Sequence, residues 1–148
     1  TRLVETNECR ISGPLYYRDG VLTASWHTAA TIGGGVVSAA RLLQVRTVDG
    51  AVLRDETFGQ ANTFYFYPSA VTDSVGTIYL GFGRSSANEY PSSYATGRRR
   101  TDGSLQSSTL LKSGAGGITV MRWGDYTAMR IDPSDGRTFY YTNEYLPQ

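Results

Sequence analysis

The chain has little of the chemistry that disulfides and metal sites need. Its 148 residues include one cysteine, Cys9, and one histidine, His27. A lone cysteine cannot close a disulfide within the chain, and these two residues do not make up the usual ligand sets for zinc. No apolar run reaches the roughly 18 residues of a membrane-spanning helix, so no membrane span is expected. There is also no secretory signal.

Strong charge and common enzyme motifs are missing too. The net charge is +1, which excludes long-range attraction to nucleic acid or an anionic membrane. Arg98, Arg99 and Arg100 form the only basic run, and alternation along a strand predicts that they do not share one patch. Nucleophile-elbow, Walker and dinucleotide-binding motifs are absent. His27 lies in an alternating segment and is expected to be a sheet residue rather than a catalytic base.

Glycine and tyrosine are abundant instead. The chain has 17 glycines and 11 tyrosines. Glycine suits turns that need positive φ, and tyrosine packs well on half-buried strands. Several segments alternate with a period of two, and no segment shows sustained helical periodicity with caps. The sequence therefore predicts an all-β protein with almost no helix.

The pattern of turns repeats with a period of about 55 residues. Asp19, Asp73 and Asp132 each begin a glycine-containing turn, and they are 54 and 59 residues apart. A second turn type, at Asp49 and Asp102, recurs at a spacing of 53 residues. Two independent landmarks at one spacing predict a repeat architecture.

The segments between the turns predict four strands per unit. The first unit has strands near 14–18, 21–29, 38–47 and 51–58; the second near 66–72, 77–84, 93–100 and 105–112; a third begins near 125–131 and 137–143. We expect one all-β repeat domain of β-propeller type, with blades at about 14–60 and 64–114 and a partial blade at about 118–147. A β-sandwich is the alternative, but it gives no reason for the repetition.

Two and a half blades do not close a ring. Further blades or copies of the chain are therefore the expected partners, since an open set leaves sheet faces exposed. The chain begins at Thr1 without an initiator methionine. We expect either a mature product or a piece of a longer protein.

Two strings carry a family resemblance, RWGDYTAMRIDPSDGRTFYYTNEY at 122–145 and FYPSAVTDSVGTIYLGFGRSSANEYPSSYATGR at 66–98. They resemble large secreted bacterial β-propeller proteins, mostly uncharacterised and distantly sialidase-like, and the likeness covers about 14–147. The resemblance implies propeller blades and an extracellular or cell-envelope location, but no single reaction. The turn at 132–139 also resembles a degenerate Asp-box without its central aspartate, which implies a turn-stabilising role.

The tripeptide Asn-Glu-Tyr occurs twice, at 88–90 and 143–145, with the asparagines 55 residues apart. Each copy follows the second strand of its unit, so both are expected on one face, level with His27 and the glycines at 33–35. Asn62 and Tyr65 are expected on this face as well. The candidate ligand-binding residues are Tyr67, Asn88, Glu89, Tyr90, Arg122, Trp123, Asp125, Asn143, Glu144 and Tyr145.

Aromatic rings interleaved with carboxylates and amides suit sugars, which stack on the rings and hydrogen-bond through their hydroxyls. Calcium is the alternative ligand for such oxygen donors, and no other cofactor is expected. A structural role is the favoured interpretation of both motifs: the repeated tripeptide would brace a loop, and an Arg122–Asp125 pair would lock the entry of a blade.

The leading hypothesis is a non-catalytic scaffold or binding module for carbohydrate or a surface protein. One alternative is a sialidase-like glycoside hydrolase whose site is completed by other blades. Arg84, Arg122, Glu89 and Tyr90 supply residue types for such a site, although no spacing identifies it. The other alternative is a structural assembly protein. No catalytic residue is assigned.

Overall fold

A computed structural model describes residues 10–11, 13–117, 123 and 126–147. In these ranges the chain forms ten strands: β1 (Tyr16–Arg18), β2 (Val21–Ile32), β3 (Gly35–Arg46), β4 (Val52–Phe58), β5 (Thr63–Thr72), β6 (Ile78–Ser86), β7 (Glu89–Arg98), β8 (Thr109–Lys112), β9 (Ala128–Ile131) and β10 (Phe139–Thr142). The same ranges contain no helix that could cross a membrane. The all-β prediction is confirmed.

The strands form two four-stranded antiparallel sheets and one hairpin. Sheet one has the order β1-β2-β3-β4, sheet two has the order β5-β6-β7-β8, and β9 pairs with β10. Each sheet is therefore continuous in the sequence, and every neighbouring pair is joined by a local connection. The predicted grouping into two four-stranded units and a further hairpin is observed.

The strand limits differ most from the prediction in the second unit. β7 begins at Glu89, because β6 and β7 form a tight hairpin in which Ser86 is paired with Glu89. β8 begins only at Thr109. Before it, Leu105 is buried, and its backbone amide donates to Oε1 of Glu56 in β4 at 3.0 Å. The segment remains attached to β7 next to this bond, since the amide of Gln106 donates to the carbonyl of Gly97 at 2.9 Å.

The recurring aspartates act in turns, as predicted. Asp19 and Gly20 link β1 to β2 with φ of 48° and 80°, the positive values that a two-residue hairpin turn requires. In the second unit Asp73 accepts backbone amides of Val75 and Thr77 at 3.0 and 2.7 Å. In the third unit, Asp132 accepts a hydrogen bond from the backbone amide of Ser134 at 2.8 Å.

The third turn contains a second carboxylate, that of Asp135, at a position to which the Asp-box pattern gives no role. It accepts the backbone amides of Arg137 and Thr138 at 2.7 and 2.8 Å, and the Thr138 hydroxyl at 2.5 Å. These bonds, the hydroxyl bond first, lower the pKa of Asp135 to about 2. Asp132 and Asp135 thus both accept backbone amides within this turn, and the stabilising role expected for the segment stays a prediction.

The main core lies between the two sheets. Ala40 and Leu42 of β3 face Ile78, Leu80 and Phe82 of β6, and all five are buried. The face that period-two alternation predicts for β6 is therefore the face that packs on sheet one. The remaining buried members of this core are Tyr65, Ala70, Tyr94 and Leu105, with Phe58 packed against them.

The opposite face of β6 is lined by glycine and receives aromatic rings. A Cβ on Gly81 would lie 2.5 Å from Cζ of Tyr141 in β10. A Cβ on Gly83 would overlap the ring of Phe66. The absence of a side chain at Gly81 lets the β9–β10 hairpin pack on sheet two, and its absence at Gly83 makes room for Phe66 of the neighbouring strand β5. Sheet two consequently lies between sheet one and the hairpin.

The first turns of the three units meet. The amide of Ser74 donates to the carbonyl of Gly136 at 2.8 Å, which joins the second and third turns. A Cβ on Gly136 would lie 3.3 Å from Nη2 of Arg18, which adjoins the first turn. The equivalent points of successive units therefore converge at one end of the molecule.

Candidate functional site

The two Asn-Glu-Tyr copies have different local structures. In the first, Asn88 ends the β6–β7 turn and Glu89 begins β7. The second copy follows β10, where Oδ1 of Asn143 accepts the amide of Glu144 at 2.8 Å. Nδ2 of Asn143 also donates to Oγ of Ser93 in β7 at 3.3 Å. The second copy is thereby attached to the strand that begins with the first.

Segment 112–117 lies against both copies. Nζ of Lys112 is 5.2 Å from the ring centroid of Tyr145. A Cβ on Gly117 would lie 3.7 Å from Cε1 of Tyr90. The amide of Ala115 donates to the carbonyl of Leu146 at 2.9 Å, which fixes the segment beside the second copy. The structure therefore brings the two copies to one region, as the sequence predicts.

Tyr90 and Tyr145 keep much of their surface open in this region, with exposed fractions of 53% and 38%. We call these two tyrosines, together with segment 112–117 and Glu144, the tyrosine surface. Glu144 is exposed. The surface thus combines two accessible aromatic rings with an ammonium group and a carboxylate.

Tyr67 and Trp123 lie behind this surface rather than on it. Both are buried and pack with Phe66, and Leu146 packs against the same cluster. Tyr67 has a φ of 46° where the β5–β6 pairing shifts register, and its carbonyl accepts the Thr127 hydroxyl at 2.7 Å. The described contacts give both residues a packing role beside the second tripeptide copy.

The remaining candidates are divided between core, loop and undescribed chain. Arg122 and Asp125 lie outside the described residues. His27 is buried in β2 with its ring 5.4 Å from that of Tyr67 in an edge-on arrangement, consistent with a sheet residue. Tyr65 is buried in the main core, whereas Asn62 is exposed in the turn before β5.

Glu89 belongs to a cluster of polar side chains at the same end of sheet two. Nε and Nη2 of Arg84 donate to Oε2 and Oε1 of Glu89 at 2.9 and 3.1 Å. Nη2 also donates to the phenol oxygen of Tyr94 at 2.6 Å, and Nη1 donates to Oγ of Ser108 at 3.1 Å. The phenol of Tyr94 in turn donates to Glu89 Oε1. Each polar group of the cluster is engaged by another.

The pKa of Tyr94 reflects its place in this cluster. Burial, followed by the hydrogen bond to Glu89, raises this pKa to about 12. The guanidinium of Arg84 lies 3.6 Å above the centre of the Tyr94 ring and uses all its nitrogens on neighbours. We interpret the cluster as structural: its hydrogen bonds hold β6, β7 and the segment before β8 together at this end of sheet two, and we call this role a lock.

Sequence reasoning missed Tyr94 and Ser108 in this cluster. The predicted strands left 85–92 in a loop, whereas Glu89 is paired with Ser86 across a tight hairpin. Recognising the two-residue turn at 87–88 would have placed Arg84 and Glu89 on neighbouring strands. Nothing in the sequence marks the approach of Ser108.

Within the described ranges, no group of three His, Cys, Asp or Glu side chains is placed to hold a metal ion. The calcium prediction therefore stays a prediction.

Comparisons with protein-family models, with curated proteins and with solved structures produced no match.

Proposed function

We propose that the chain is a non-catalytic binding module built from propeller-type blades, and that the tyrosine surface binds carbohydrate. The observation that carries the proposal is the meeting of both Asn-Glu-Tyr copies at segment 112–117, with the rings of Tyr90 and Tyr145 accessible. Tyrosine rings offer apolar faces to sugars, and the flanking polar groups can take hydroxyls.

The order of the strands supports propeller-type blades. Both sheets are four-stranded meanders, and sheet one, sheet two and the hairpin are stacked in chain order. A sandwich of the immunoglobulin kind would exchange strands between its two sheets through Greek-key connections. The convergence of the three turns near Gly136 also fits units arranged around a common axis.

The proposal of propeller-type blades also includes binding partners and a location for the protein. Further blades or copies of the chain would complete a ring, and the resemblance to secreted bacterial propellers makes an extracellular or cell-envelope location part of the proposal. A module of this kind would present its tyrosine surface at one end of the ring.

Binding is better supported than hydrolysis. A sialidase-like site needs a reactive phenol and arginines free to hold a substrate carboxylate. Of the residues that the sequence offers for such a site, Arg84 already donates to Glu89, Tyr94 and Ser108, and Arg122 lies outside the described residues. Glu89 accepts hydrogen bonds from both Arg84 and Tyr94, so its carboxylate is not free to act as a base.

The experiment is a glycan-array screen of the whole chain, followed by calorimetry with the best neutral oligosaccharide. Tyr90→Ala and Tyr145→Ala should each weaken binding about tenfold or more, as expected for central aromatic contacts. Tyr17→Ala is the matched control, because Tyr17 is an exposed tyrosine of β1 outside this surface. Failure to bind any neutral glycan, or an equal loss in the Tyr17 variant, would contradict the proposal.

A further inference from the structure

A cleft of about 940 Å³ lies at the other end of sheet two, between β6–β8 and the β9–β10 hairpin. Four arginines line it: Arg98, Arg99, Arg100 and Arg137. The sequence predicted no shared patch for the first three, and that prediction is wrong. β7 ends at Arg98, so strand alternation stops there, and Arg100 lies in the following turn.

These arginines form no ion pair with an acidic side chain in the part of the chain that the structure describes. The ion pairs found there involve other arginines. Nε of Arg98 is buried without a hydrogen-bond partner in the same set of residues. Such a group is costly unless something hydrogen-bonds to it. The guanidinium groups therefore have donors to spare.

The two carboxylates of the cleft are already in use. Asp73 accepts the amides of its own turn, and Asp102 accepts the amide of Arg99 at 2.9 Å and Nε2 of Gln106 at 3.1 Å. Four guanidinium groups against two carboxylates leave the lining with an excess positive charge. The cleft is thus electrostatically suited to an anion although the whole chain is nearly neutral.

An aromatic wall faces the arginines. Tyr79 and Phe139 stack with their ring centroids 4.5 Å apart, and both line the cleft. An adjoining cleft of about 540 Å³ shares Arg98 and Arg100 and adds Arg18 together with Asp19, which form an ion pair with each other at 3.5 Å. The combined groove is large enough for several sugar units by the usual size of ligand pockets, about 300–1,000 Å³.

We propose that this groove binds an acidic oligosaccharide carrying sulfate or carboxylate groups. Arginine forks match oxyanions through paired hydrogen bonds, and the aromatic wall suits pyranose rings. The site lies at the opposite end of sheet two from the tyrosine surface, so it goes beyond the function proposed above and does not depend on it.

The test is calorimetry of the full chain at low salt with dextran hexasaccharides of equal length, one sulfated, one carboxymethylated and one neutral. The two acidic probes should bind, with affinity falling as salt is added, and the neutral probe should not compete. Arg99→Gln and Arg100→Gln should each weaken binding about fivefold or more. Both side chains are exposed at the cleft, and circular dichroism should show an unchanged fold.

Arg130→Gln is the control. Arg130 is exposed on β9 and does not line the groove, so Arg130→Gln removes the same charge as the test variants and, besides that, only a hydrogen bond to the carbonyl of the neighbouring residue Met129. An equal effect of this variant would overturn the proposal. Equally tight binding of single-stranded DNA of matched charge would also overturn the proposal, because it would show that the pyranose rings of the oligosaccharide contribute nothing to the affinity.

A second set of measurements separates the two sites and tests for self-association. Tyr90→Ala and Tyr145→Ala should leave binding of the sulfated probe unchanged. If Arg99→Gln instead dissociates an oligomer seen by light scattering, the groove is an interface between copies, and the proposal fails.

Discussion

The amide of Ser74 donates a 2.8 Å hydrogen bond to the carbonyl of Gly136, so the turn of the second unit is bonded directly to the turn of the third. Arg18, beside the first turn, approaches the same glycine. The φ of Gly136 is 65°, and a side chain there would meet both neighbours. This contact is where three consecutive repeats come together.

Gly136→Ala should destabilise the fold by about 2–3 kcal/mol, because it adds a steric clash to an unfavourable φ. Gly50→Ala is the matched control, since Gly50 has a φ of 70° and no atom lies within 4 Å of the position that its new methyl group would take. The control should lose about 1 kcal/mol. Urea denaturation of both variants measures the difference, and equal losses would show that the turns do not depend on this contact.

Gly81→Ala should loosen the hairpin from sheet two. The added methyl would lie 2.5 Å from the Tyr141 ring, so the ring must move, at a cost of about 1–3 kcal/mol. Gly103→Ala, which has open space around it, should change stability little. The double variant with Tyr141→Leu should lose less than the sum of its single changes, because the clash is then relieved. Additive losses would contradict the packing.

The Arg84–Glu89–Tyr94 cluster should contribute more to stability than an exposed ion pair. Glu89→Gln weakens a bond between side chains that are only 19% and 21% exposed, and we expect a loss of about 1–3 kcal/mol. Asp55→Asn makes the same kind of change in the Arg41–Asp55 pair, which is 38% and 40% exposed, and should lose less stability than Glu89→Gln because solvent screens the pair. Thermal unfolding should rank the two variants in this order, and the reverse ranking would show that the cluster is not a lock.

Asp135 predicts a specific acid sensitivity. Its pKa falls from the ordinary 3.8 to about 2 in the folded chain, chiefly through the Thr138 hydroxyl and then the backbone amides. A depressed carboxyl pKa stabilises the fold above the unfolded value, and that stabilisation is lost as pH falls from about 4 to 2. Unfolding measured across this range should be less pH-dependent in Asp135→Asn. An unchanged slope would show that the turn is not linked to folding.

The sequence was most informative where a regular pattern extends along a strand. Ile78, Leu80 and Phe82 alternate with Tyr79, Gly81 and Gly83, and this pattern correctly predicts the face of β6 that packs on sheet one. The turns at Asp19 and Asp73 correctly mark the starts of repeated hairpins. Period-two patterning and turn chemistry are local, so they can be read without knowing the tertiary structure.

The failures occur where regular alternation is interrupted. The register shift at Tyr67 places consecutive aromatic residues Phe66 and Tyr67 in one buried cluster, which alternation alone would not predict. The end of β7 at Arg98 lets three consecutive arginines reach one cleft. Bulges and strand ends are set by packing against distant chain, so their side-chain directions are not encoded in the local pattern.

The glycine-lined face of β6 has a consequence for how the layers are aligned. Two flat sheet faces could slide along each other at little energetic cost, but the Tyr141 ring of the hairpin fills the space above Gly81 of β6. On the same face of β6, the Tyr79 ring lies on one side of Gly81, and the Phe66 ring of β5 fills the space above Gly83 on the other side, so a displaced Tyr141 ring would collide with a side chain. The hairpin can therefore pack on sheet two in only one alignment. This alignment keeps the arginine cleft at one end of sheet two and the tyrosine surface at the other.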